Sequence, residues 1–373
     1  FFYFFHEFAL IPTFLMIGVW RRPGLRTVAV EVTVYLTAGA MLSLLGLISL
    51  YLSADGLAGF NLLGLRRYLA INPLETVWQE NFFGILLLGF GVLVSLFPFH
   101  SWAPRAYSTA PTPNAMLHAG VLKKFGVYGL VQIAAVLLPE GILPWSEPLI
   151  WLALGNVILI GFATIAQTDV RQMVAYSSVM HMGYIFLGLV AFQTAGLGGA
   201  VMLMFAHGLS VAAMFLLGDY IEERTGTLEM TRIGGLAAKT PLLAGLFVAA
   251  TFAGIGLPGF ANFWGEFTVF LALGERYLWA VAPAALGIVI SAVYGLRAVA
   301  KVFFGVPTLE FRTRFDSGKL FDLSRAERVP AFVLIVSLMI VGFWPRTISD
   351  PVNAALGEAP AQSATAAALD LQP

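Results

Sequence analysis

Seven ionisable side chains lie inside long apolar stretches of this sequence, and these are the residues most able to do chemistry. They comprise two carboxylates, two adjacent lysines and three histidines: Glu7, Glu266, Lys123, Lys124, His118, His181 and His207. Holding a charge in a lipid bilayer costs at least about 2.5–3.5 kcal/mol, so such groups are retained mainly where a protein moves ions or protons. Groups of this kind, separated by water, can pass a proton from one to the next. The pattern therefore favours a buried proton path.

Glu7 lies in the segment FHEFALIPTF, directly after His6. Two interpretations of Glu7 are open: it is a fixed acid in a proton path, or a protonated carboxyl that hydrogen-bonds to a neighbouring helix. Successive helical residues are turned about 100° apart, so His6 faces another way and is as well explained by packing. The same geometry separates Lys123 from Lys124. One lysine is expected to face the interior, and the other to find a partner or extend toward the membrane surface.

His181 and His207 fall near the middle of consecutive apolar stretches, so their rings could face one another. Histidine titrates near neutral pH, which suits a proton relay. Two other interpretations are a static hydrogen bond between helices and axial ligation of a b-type haem. The relay is favoured over haem because the histidine pairs that cytochromes usually stack along one helix are absent. Glu266 follows LPGF, where exposed backbone could hold water beside a proton-carrying carboxylate.

The composition places these residues in a membrane. Of the 373 residues, 59% are hydrophobic and only 11% are charged, against about 25% charged in soluble domains. The formal net charge is zero, so no basic surface suggests nucleic acid. The chain contains no cysteine, which excludes disulfides and thiolate-bound iron–sulfur clusters or zinc. We therefore expect an all-α integral membrane protein with no cofactor on this chain.

About ten apolar segments are long enough to cross a bilayer, which takes about 20 residues. They are 1–20, 27–53, 82–99, 115–139, 148–168, 173–194, 197–221, 241–274, 278–305 and 330–345. When the connecting loops are assigned alternately to two sides, fifteen of the 21 Lys and Arg residues fall on one side and four on the other. Such an excess marks the cytoplasmic side. Segment 54–81 is expected along the membrane surface, 306–329 as a cytoplasmic loop and 353–373 as a mobile tail.

Two of these segments contain a proline that should interrupt the helix within the membrane. Pro98 lies in GVLVSLFPFHSWAPRAY and Pro258 in GIGLPGFANFWGEF. Proline lacks an N–H donor and clashes with the preceding turn, and broken backbone at this depth persists only where protein or water satisfies it. Matching interruptions in two halves are typical of transporters built from inverted repeats. The halves are predicted as 1–147 and 148–305, followed by 306–373 with the cytoplasmic loop, the last membrane helix and the tail.

Five motifs of the sequence resemble one known family. They are FHEFALIPTF, LHAGVLKKFGVYGL, AQTDVRQMVAYSSVMHMGY, MFAHGLSVAAMFLLGDYIEERTGT and LPGFANFWGEF. In this order they resemble the antiporter-like subunits of complex I, the respiratory NADH:quinone oxidoreductase, and most of all the subunit M type, called subunit 4 in mitochondria. The resemblance runs from residue 1 to about 345. Because that family usually has fourteen helices, the sequence is expected to start within the fifth.

The resemblance implies a division of labour among subunits. Electron transfer in the family occurs elsewhere in the complex, and subunits of this type move protons along a hydrated central axis. The implied partners are the other membrane subunits of complex I and the lipid bilayer, and the implied location is a bacterial inner membrane. No redox chemistry is expected on this chain.

The resemblance also implies roles for individual residues by position. Glu7 corresponds to the glutamate of the family's fifth helix, Lys124 to the lysine of its eighth and Glu266 to the glutamate of its twelfth. His181 and His207 correspond to its relay histidines. In the implied mechanism a cytoplasmic proton reaches Lys124, passes through the two histidines and leaves by Glu266. The charge of Glu7 adjusts how tightly the lysine holds its proton.

One position departs from the family pattern. Leu93 stands where the family has a lysine in its interrupted seventh helix, and leucine cannot hold a proton. Either Lys123 replaces that lysine as the partner of Glu7, or the first half has lost its switch and the chain pumps differently or not at all. A spacer that has kept the fold but given up transport is an alternative of a different class. Related alternatives are a subunit of a multi-subunit cation/proton antiporter or of a membrane-bound hydrogenase, since these relatives share most of the motifs.

Overall fold

Helices account for nearly all of the structure. The computed structural model describes residues 2–20, 27–54, 61–318 and 320–356. In chain order its helices are α1 (Phe2–Trp20), α2 (Val28–Leu52), α3 (Leu62–Ile71), α4 (Thr76–Val94), α5 (Trp102–Thr109), α6 (112–137), α7 (Ser146–Ala166), α8 (Val170–Ala191), α9 (Thr194–Thr225), α10 (Pro241–Ile255), α11 (Ala261–Arg276), α12 (Leu278–Phe303), α13 (Leu309–Asp316) and α14 (Arg325–Phe343). Eight of them, α1, α2, α4, α7, α8, α9, α12 and α14, are long and apolar enough to cross a membrane. The predicted all-α membrane fold is confirmed for the described residues.

The other two of the ten predicted segments, 115–139 and 241–274, correspond to α6 and to the pair α10 and α11. α6 is a continuous helix in which π turns at His118–Leu122 and Leu130–Ala135 interrupt the α-helical pattern. Segment 241–274 is split, because a turn that contains Pro258 separates α10 from α11. α4 is also interrupted: it ends before Ser95, and the chain passes Pro98 before α5 begins. Both predicted helix breaks are therefore confirmed.

The structure changes several predicted boundaries. α4 begins at Thr76 rather than near residue 82, because its first turn carries polar residues that a search for apolar runs omits. The predicted surface segment 54–81 therefore contains α3 and the start of α4, and the predicted loop 306–329 contains α13 and the first turn of α14. Residues 353–356 of the predicted tail are helical, and the remainder lies outside the described residues.

α6 and α9 pack backbone to backbone at a pair of glycines. A Cβ atom on Gly120 would lie 3.1 Å from the carbonyl oxygen of Gly208, and one on Gly208 would lie 2.7 Å from the carbonyl oxygen of Gly120. Small residues allow this close approach, which is a common way for membrane helices to associate. The pair fixes the side chains that flank it, His118 and Lys123 on α6 and His207 on α9, in the protein interior.

Polar contacts join neighbouring helix ends on both sides of the membrane. On the side predicted to be cytoplasmic, Arg105 pairs with Glu31 at 2.6 Å. On the opposite side, the hydroxyl of Thr76 donates to Glu140 at 2.7 Å. Each contact joins two ends that the alternating assignment places on the same side, so the contacts agree with the predicted topology.

We predict that Gly208→Ala lowers the stability of the protein and that Gly245→Ala does not. The new methyl group at position 208 would press on a backbone oxygen, and overpacking of this kind typically costs about 1–3 kcal/mol. Gly245 is the matched control, since nothing lies within 4 Å of a Cβ added there and alanine favours a helix over glycine by about 1 kcal/mol. Thermal unfolding in detergent measures both variants. Equal melting temperatures would contradict the close packing of α6 and α9.

Candidate functional site

Six of the seven ionisable residues singled out from the sequence are buried in the protein interior. Each of these is no more than 5% exposed: Lys123, Lys124, His118, His181, His207 and Glu266. They lie on α6, α8, α9 and α11. Glu7, on α1, differs because 28% of its side chain is exposed. The structure thus brings most of the predicted groups together in one interior, with Glu7 near its edge.

A π turn sets the directions of the two lysines. The N–H of Lys123 donates to the carbonyl of His118 at 3.1 Å, five residues back rather than four. Turns of this kind contain one additional residue and are frequent at functional sites. The carbonyl of Ala119 therefore loses its α-helical donor, and the ammonium group of Lys124 donates to it. Lys124 is held by its own helix, whereas Lys123 is not.

Lys123 reaches from α6 to α8. Its Nζ atom donates to the carbonyl oxygen of Ser178 at 2.8 Å and to the Oγ atom of Ser178 at 2.7 Å. The same atom lies 5.4 Å from the centre of the Tyr107 ring, within the range of a cation–π contact. Ser178 is fully buried, so these contacts hold the ammonium group away from bulk water.

The pairing of Glu7 with Lys123, one of the two outcomes considered from the sequence, is absent. In the part of the chain that the structure describes, no ion pair joins Glu7 to a lysine, and its Oε1 atom lies 3.8 Å from Nδ1 of His6. The physical reason is that Ser178 offers Lys123 two oxygen acceptors at hydrogen-bond distance on another helix.

A small cavity lies beside Leu93. It measures about 10 Å³ and is also lined by His6, His118 and Lys123. That is about the space that one water molecule needs. Both ring nitrogens of His118 are buried and have no hydrogen-bond partner among the described residues, and the Tyr107 ring lies 5.5 Å from the His118 ring. The cavity has space for a water that bridges His118 to its neighbours.

His181 and His207 face one another, as the sequence predicts. Their rings are stacked, with centroids 5.2 Å apart and an angle of 18° between the ring planes. The Oγ atom of Ser178 lies 3.2 Å from Nε2 of His207, which links this histidine to the Lys123 contact. Rings stacked at this separation leave no space for a macrocycle between them, so the haem interpretation does not fit.

His181 connects α8 to the second helix break. Its Nδ1 atom lies 2.7 Å from the carbonyl oxygen of Ser177, and its Nε2 atom lies 2.9 Å from that of Gly254. In an unbroken helix the Gly254 carbonyl would accept from the residue four positions on, but that residue is Pro258, which has no N–H. A neutral imidazole carries a hydrogen on one nitrogen only, and a protonated one carries a hydrogen on both. Neutral His181 therefore donates to one of the two carbonyls, and protonated His181 to both.

Glu266 lies against the same break. Its carboxyl group packs against Gly256, where an added Cβ would collide with a carboxyl oxygen. Gly256 ends α10 with a φ of +81°, a conformation that glycine adopts readily. A cavity of about 30 Å³ near the break is lined by His181, His207 and Gly254 among others, which is room for about two waters. This cavity extends the polar path from the histidines toward the break that holds Glu266.

Asn156, which the sequence analysis did not single out, satisfies the backbone of the first break. Its Oδ1 atom accepts from the N–H of Phe97 at 2.7 Å. Its Nδ2 atom donates to the carbonyls of Ser95 and Val179 at 3.0 and 2.9 Å. Uncharged polar residues such as Asn156 and Ser178 escape a search for charge in apolar runs. Two features of the sequence could have pointed to them: Asn156 lies within the apolar run GNVILI, and Ser178 belongs to a pair of serines shortly before His181.

Arg171 and Asp219 hold helix ends together on the side predicted to be cytoplasmic. The side chain of Arg171 is buried and donates to the carbonyl of Ala110 at 2.7 Å and to Oγ1 of Thr112 at 3.0 Å. Thr112 donates in turn to Asp219 at 2.6 Å. These residues come from α8, the turn before α6, α6 and α9. Asp219 therefore joins α9 to α6 through Thr112.

Replacing Asn156 by alanine is expected to destabilise the protein by about 2 kcal/mol or more. The partly buried N–H of Phe97 and the buried carbonyl of Ser95 would lose this partner, at about 1–3 kcal/mol per group, whereas the carbonyl of Val179 lies inside the regular helix α8 and keeps its helical donor. Asn72→Ala is the matched control, because Asn72 is exposed and its amide makes one long contact, 3.4 Å, with Tyr68. Such surface changes usually stay within about 0.5 kcal/mol. If both variants melt at the same temperature in detergent, Asn156 does not support the break.

The comparisons with known proteins confirm the family resemblance that the sequence motifs indicated. The profile of the Proton_antipo_M family, described as "NADH:quinone oxidoreductase/Mrp antiporter, TM", matches residues 1–291. Chain 4 1 of the NAD(P)H-quinone oxidoreductase of Synechococcus elongatus is 33% identical over 349 residues, which cover 91% of this chain and 63% of that protein. Subunit M of the NADH-quinone oxidoreductase of Rickettsia bellii is 32% identical over 347 residues, covering 93% and 68%. The chain thus spans 63% and 68% of the lengths of these two relatives.

Solved structures show the same fold. A chain of respiratory complex I from Thermus thermophilus with bound NADH has a TM-score of 0.87 at 29% identity, over 96% of this chain and 74% of that one. A chain of the Mrp complex from Dietzia sp. has a TM-score of 0.81 at 19% identity, over 96% and 73%, which is a likeness of fold alone. The chain belongs to the family of membrane subunits shared by NADH:quinone oxidoreductases and Mrp antiporters.

Proposed function

We propose that this chain is a proton-translocating membrane subunit of a NADH:quinone oxidoreductase, of the subunit M type. The observation that supports this most is a series of contacts through the interior, from Lys123 through Ser178 to His207 and from His181 to the second break. The relatives with that name add support. Redox chemistry is assigned to other subunits of the respiratory chain complex, so this chain acts without a cofactor of its own. Its partners are neighbouring membrane subunits in a bacterial inner membrane.

The proposed route crosses from the first half, 1–147, to the second half, 148–305. A proton from the cytoplasmic side reaches Lys124, passes by way of His181 and His207, and leaves through Glu266. Glu7 acts at a distance through its charge, since charges interact strongly across a medium of low polarity. A change in the position of the Glu7 charge changes how tightly the lysine holds its proton.

His181 couples proton movement to the backbone of the second break. When its ring gives up a proton, the carbonyl of Ser177 or that of Gly254 loses a hydrogen bond. The Gly254 carbonyl has no backbone N–H donor in its own helix, because the residue four positions on is Pro258. Gly254 also lines the cavity that has room for water. Water at this carbonyl then connects the histidines to the region of Glu266, which gives the proton an outward path.

Leu93 is the observation that favours a second candidate, a spacer subunit that has kept the fold without pumping. The leucine side chain lines the small cavity beside Lys123 but cannot hold a proton there. A subunit of a cation/proton antiporter or of a membrane-bound hydrogenase is a third candidate. The likeness to the membrane-bound sulfane sulfur reductase, at 23% identity and a TM-score of 0.79, concerns the fold alone.

Purification through an affinity tag on this chain is predicted to recover NADH:quinone oxidoreductase activity. The physical basis is that a subunit without redox groups can use redox energy only inside a stable complex with the subunits that hold them. NADH-driven quinone reduction by the purified material is the measurement, and untagged membranes are the control. Recovery of hydrogenase or Na⁺/H⁺ exchange activity without NADH oxidation would contradict the proposed function.

Glu266→Gln is predicted to reduce proton uptake per NADH oxidised in inside-out membrane vesicles. Glutamine keeps the shape but cannot exchange a proton, and loss of a proton-transferring group typically slows its step by about 100-fold or more. Glu275→Gln is the matched control, because Glu275 lies on the same helix, α11, and is exposed. Proton uptake and NADH oxidation are followed in the same vesicles. An unchanged ratio in Glu266→Gln would favour the spacer.

A further inference from the structure

Lys123 is a buried titratable group whose contacts join the two predicted halves. It lines the cavity beside Leu93 in the first half, while its Nζ atom contacts Ser178 on α8 in the second half. No ion pair engages Lys123 in the part of the chain that the structure describes, so its buried charge is balanced by a hydroxyl, a carbonyl and the face of Tyr107. A lysine held without a carboxylate is well placed to give up a proton.

The hydroxyl of Ser178 lies between a donor and an acceptor. A lysine ammonium group has three hydrogens to donate and no acceptor, whereas a serine hydroxyl both accepts and donates. Since Oγ of Ser178 accepts from Nζ of Lys123 at 2.7 Å, its own hydrogen is free to be donated elsewhere. Nε2 of His207, 3.2 Å away, is the acceptor that completes the arrangement. His207 then carries its hydrogen on Nδ1.

Lys124 lacks such an arrangement. Its Nζ atom donates to the carbonyl of Ala119 in its own helix, and a carbonyl oxygen has no hydrogen to pass on. The position that supplies a lysine in the family, Leu93, cannot hold a proton at all. Lys123 is therefore the titratable group of the first half that touches both the Leu93 cavity and a hydroxyl leading to the histidines.

We propose that Ser178 carries a proton from Lys123 to His207, an inference that rests on the proposed function, adds Ser178 to its route and places Lys123 instead of Lys124 directly before the histidines. In one concerted step the N–H bond of Lys123 breaks and its proton binds Oγ of Ser178, while the former hydroxyl proton moves to Nε2 of His207. Neutral lysine, an intact serine and a histidine cation result, so atoms and charge balance. The site is reset when the hydroxyl rotates, Lys123 takes up a new proton and His207 gives one up. His207 then faces His181 across the stacked pair and the cavity near the second break.

The step is tested with Ser178→Ala, Lys123→Met and the double variant in inside-out vesicles from cells that carry the whole complex. Proton uptake per NADH oxidised is measured, together with the amount of the chain in the membrane. Ser43→Ala is the control, because Ser43 is equally buried but donates to its own helix at Ala40. Ser178→Ala and Lys123→Met are each expected to lower this ratio, and Ser43→Ala is expected to leave it unchanged. The ratio in the double variant is expected to be no lower than in the more affected single variant.

The possible outcomes separate this step from the proposed function as a whole. A single shared route requires that removing a second member adds nothing. Provided that the wild-type enzyme pumps, two results overturn the relay. One is that the double variant lowers proton uptake per NADH by the product of the two single reductions. The other is that Ser178→Ala keeps the wild-type ratio. If wild-type vesicles oxidise NADH without taking up protons, the proposed function fails, and the relay fails with it. If Ser178→Ala does not accumulate in the membrane, Lys123→Met alone decides: a wild-type ratio there overturns the relay, and a lower ratio supports it.

Discussion

The backbone groups left free at the two helix breaks are the constraint on which the rest of the structure depends. In a bilayer each such group costs several kcal/mol unless protein or water satisfies it. At the first break the amide of Asn156 and the indole N–H of Trp102 supply the missing bonds. At the second, the ring of His181 meets the carbonyl that Pro258 leaves without a donor. Each break is stable because another helix places a polar side chain at the right depth.

One helix, α8, connects these two breaks to the buried lysine. Val179 accepts from Asn156 at the first break, His181 reaches the second break two residues later, and Ser178 meets Lys123. A helix rises only 1.5 Å per residue, so these three contacts lie within one turn. A displacement of α8 that strains one contact strains the others. The proton-carrying groups and the irregular backbone are therefore mechanically linked, which a set of separate sites would not achieve.

Much of the fold and part of the site could be predicted from the sequence, for a physical reason. Charge inside an apolar run is costly, so the lysines, the histidines and Glu266 stood out, and the prolines marked both breaks. The partner of Lys123 could not be predicted, because a regular α-helix was assumed and a π turn redirects the side chains that follow it. Asn156 and Ser178 were missed because a buried amide or hydroxyl looks the same in sequence as one facing lipid. Their importance comes from what they touch.

The π turns of α6 have a consequence for its adjacent lysines. Residues Lys124–Gly129 form an ordinary helical segment with a π turn on each side, at His118–Leu122 and Leu130–Ala135. The additional residue in such a turn can be taken up on either side of a segment, and each residue it passes shifts by one register position, about 100° and 1.5 Å. The position of that additional residue therefore decides which of the two adjacent lysines reaches Ser178 on α8, and in this structure it is Lys123.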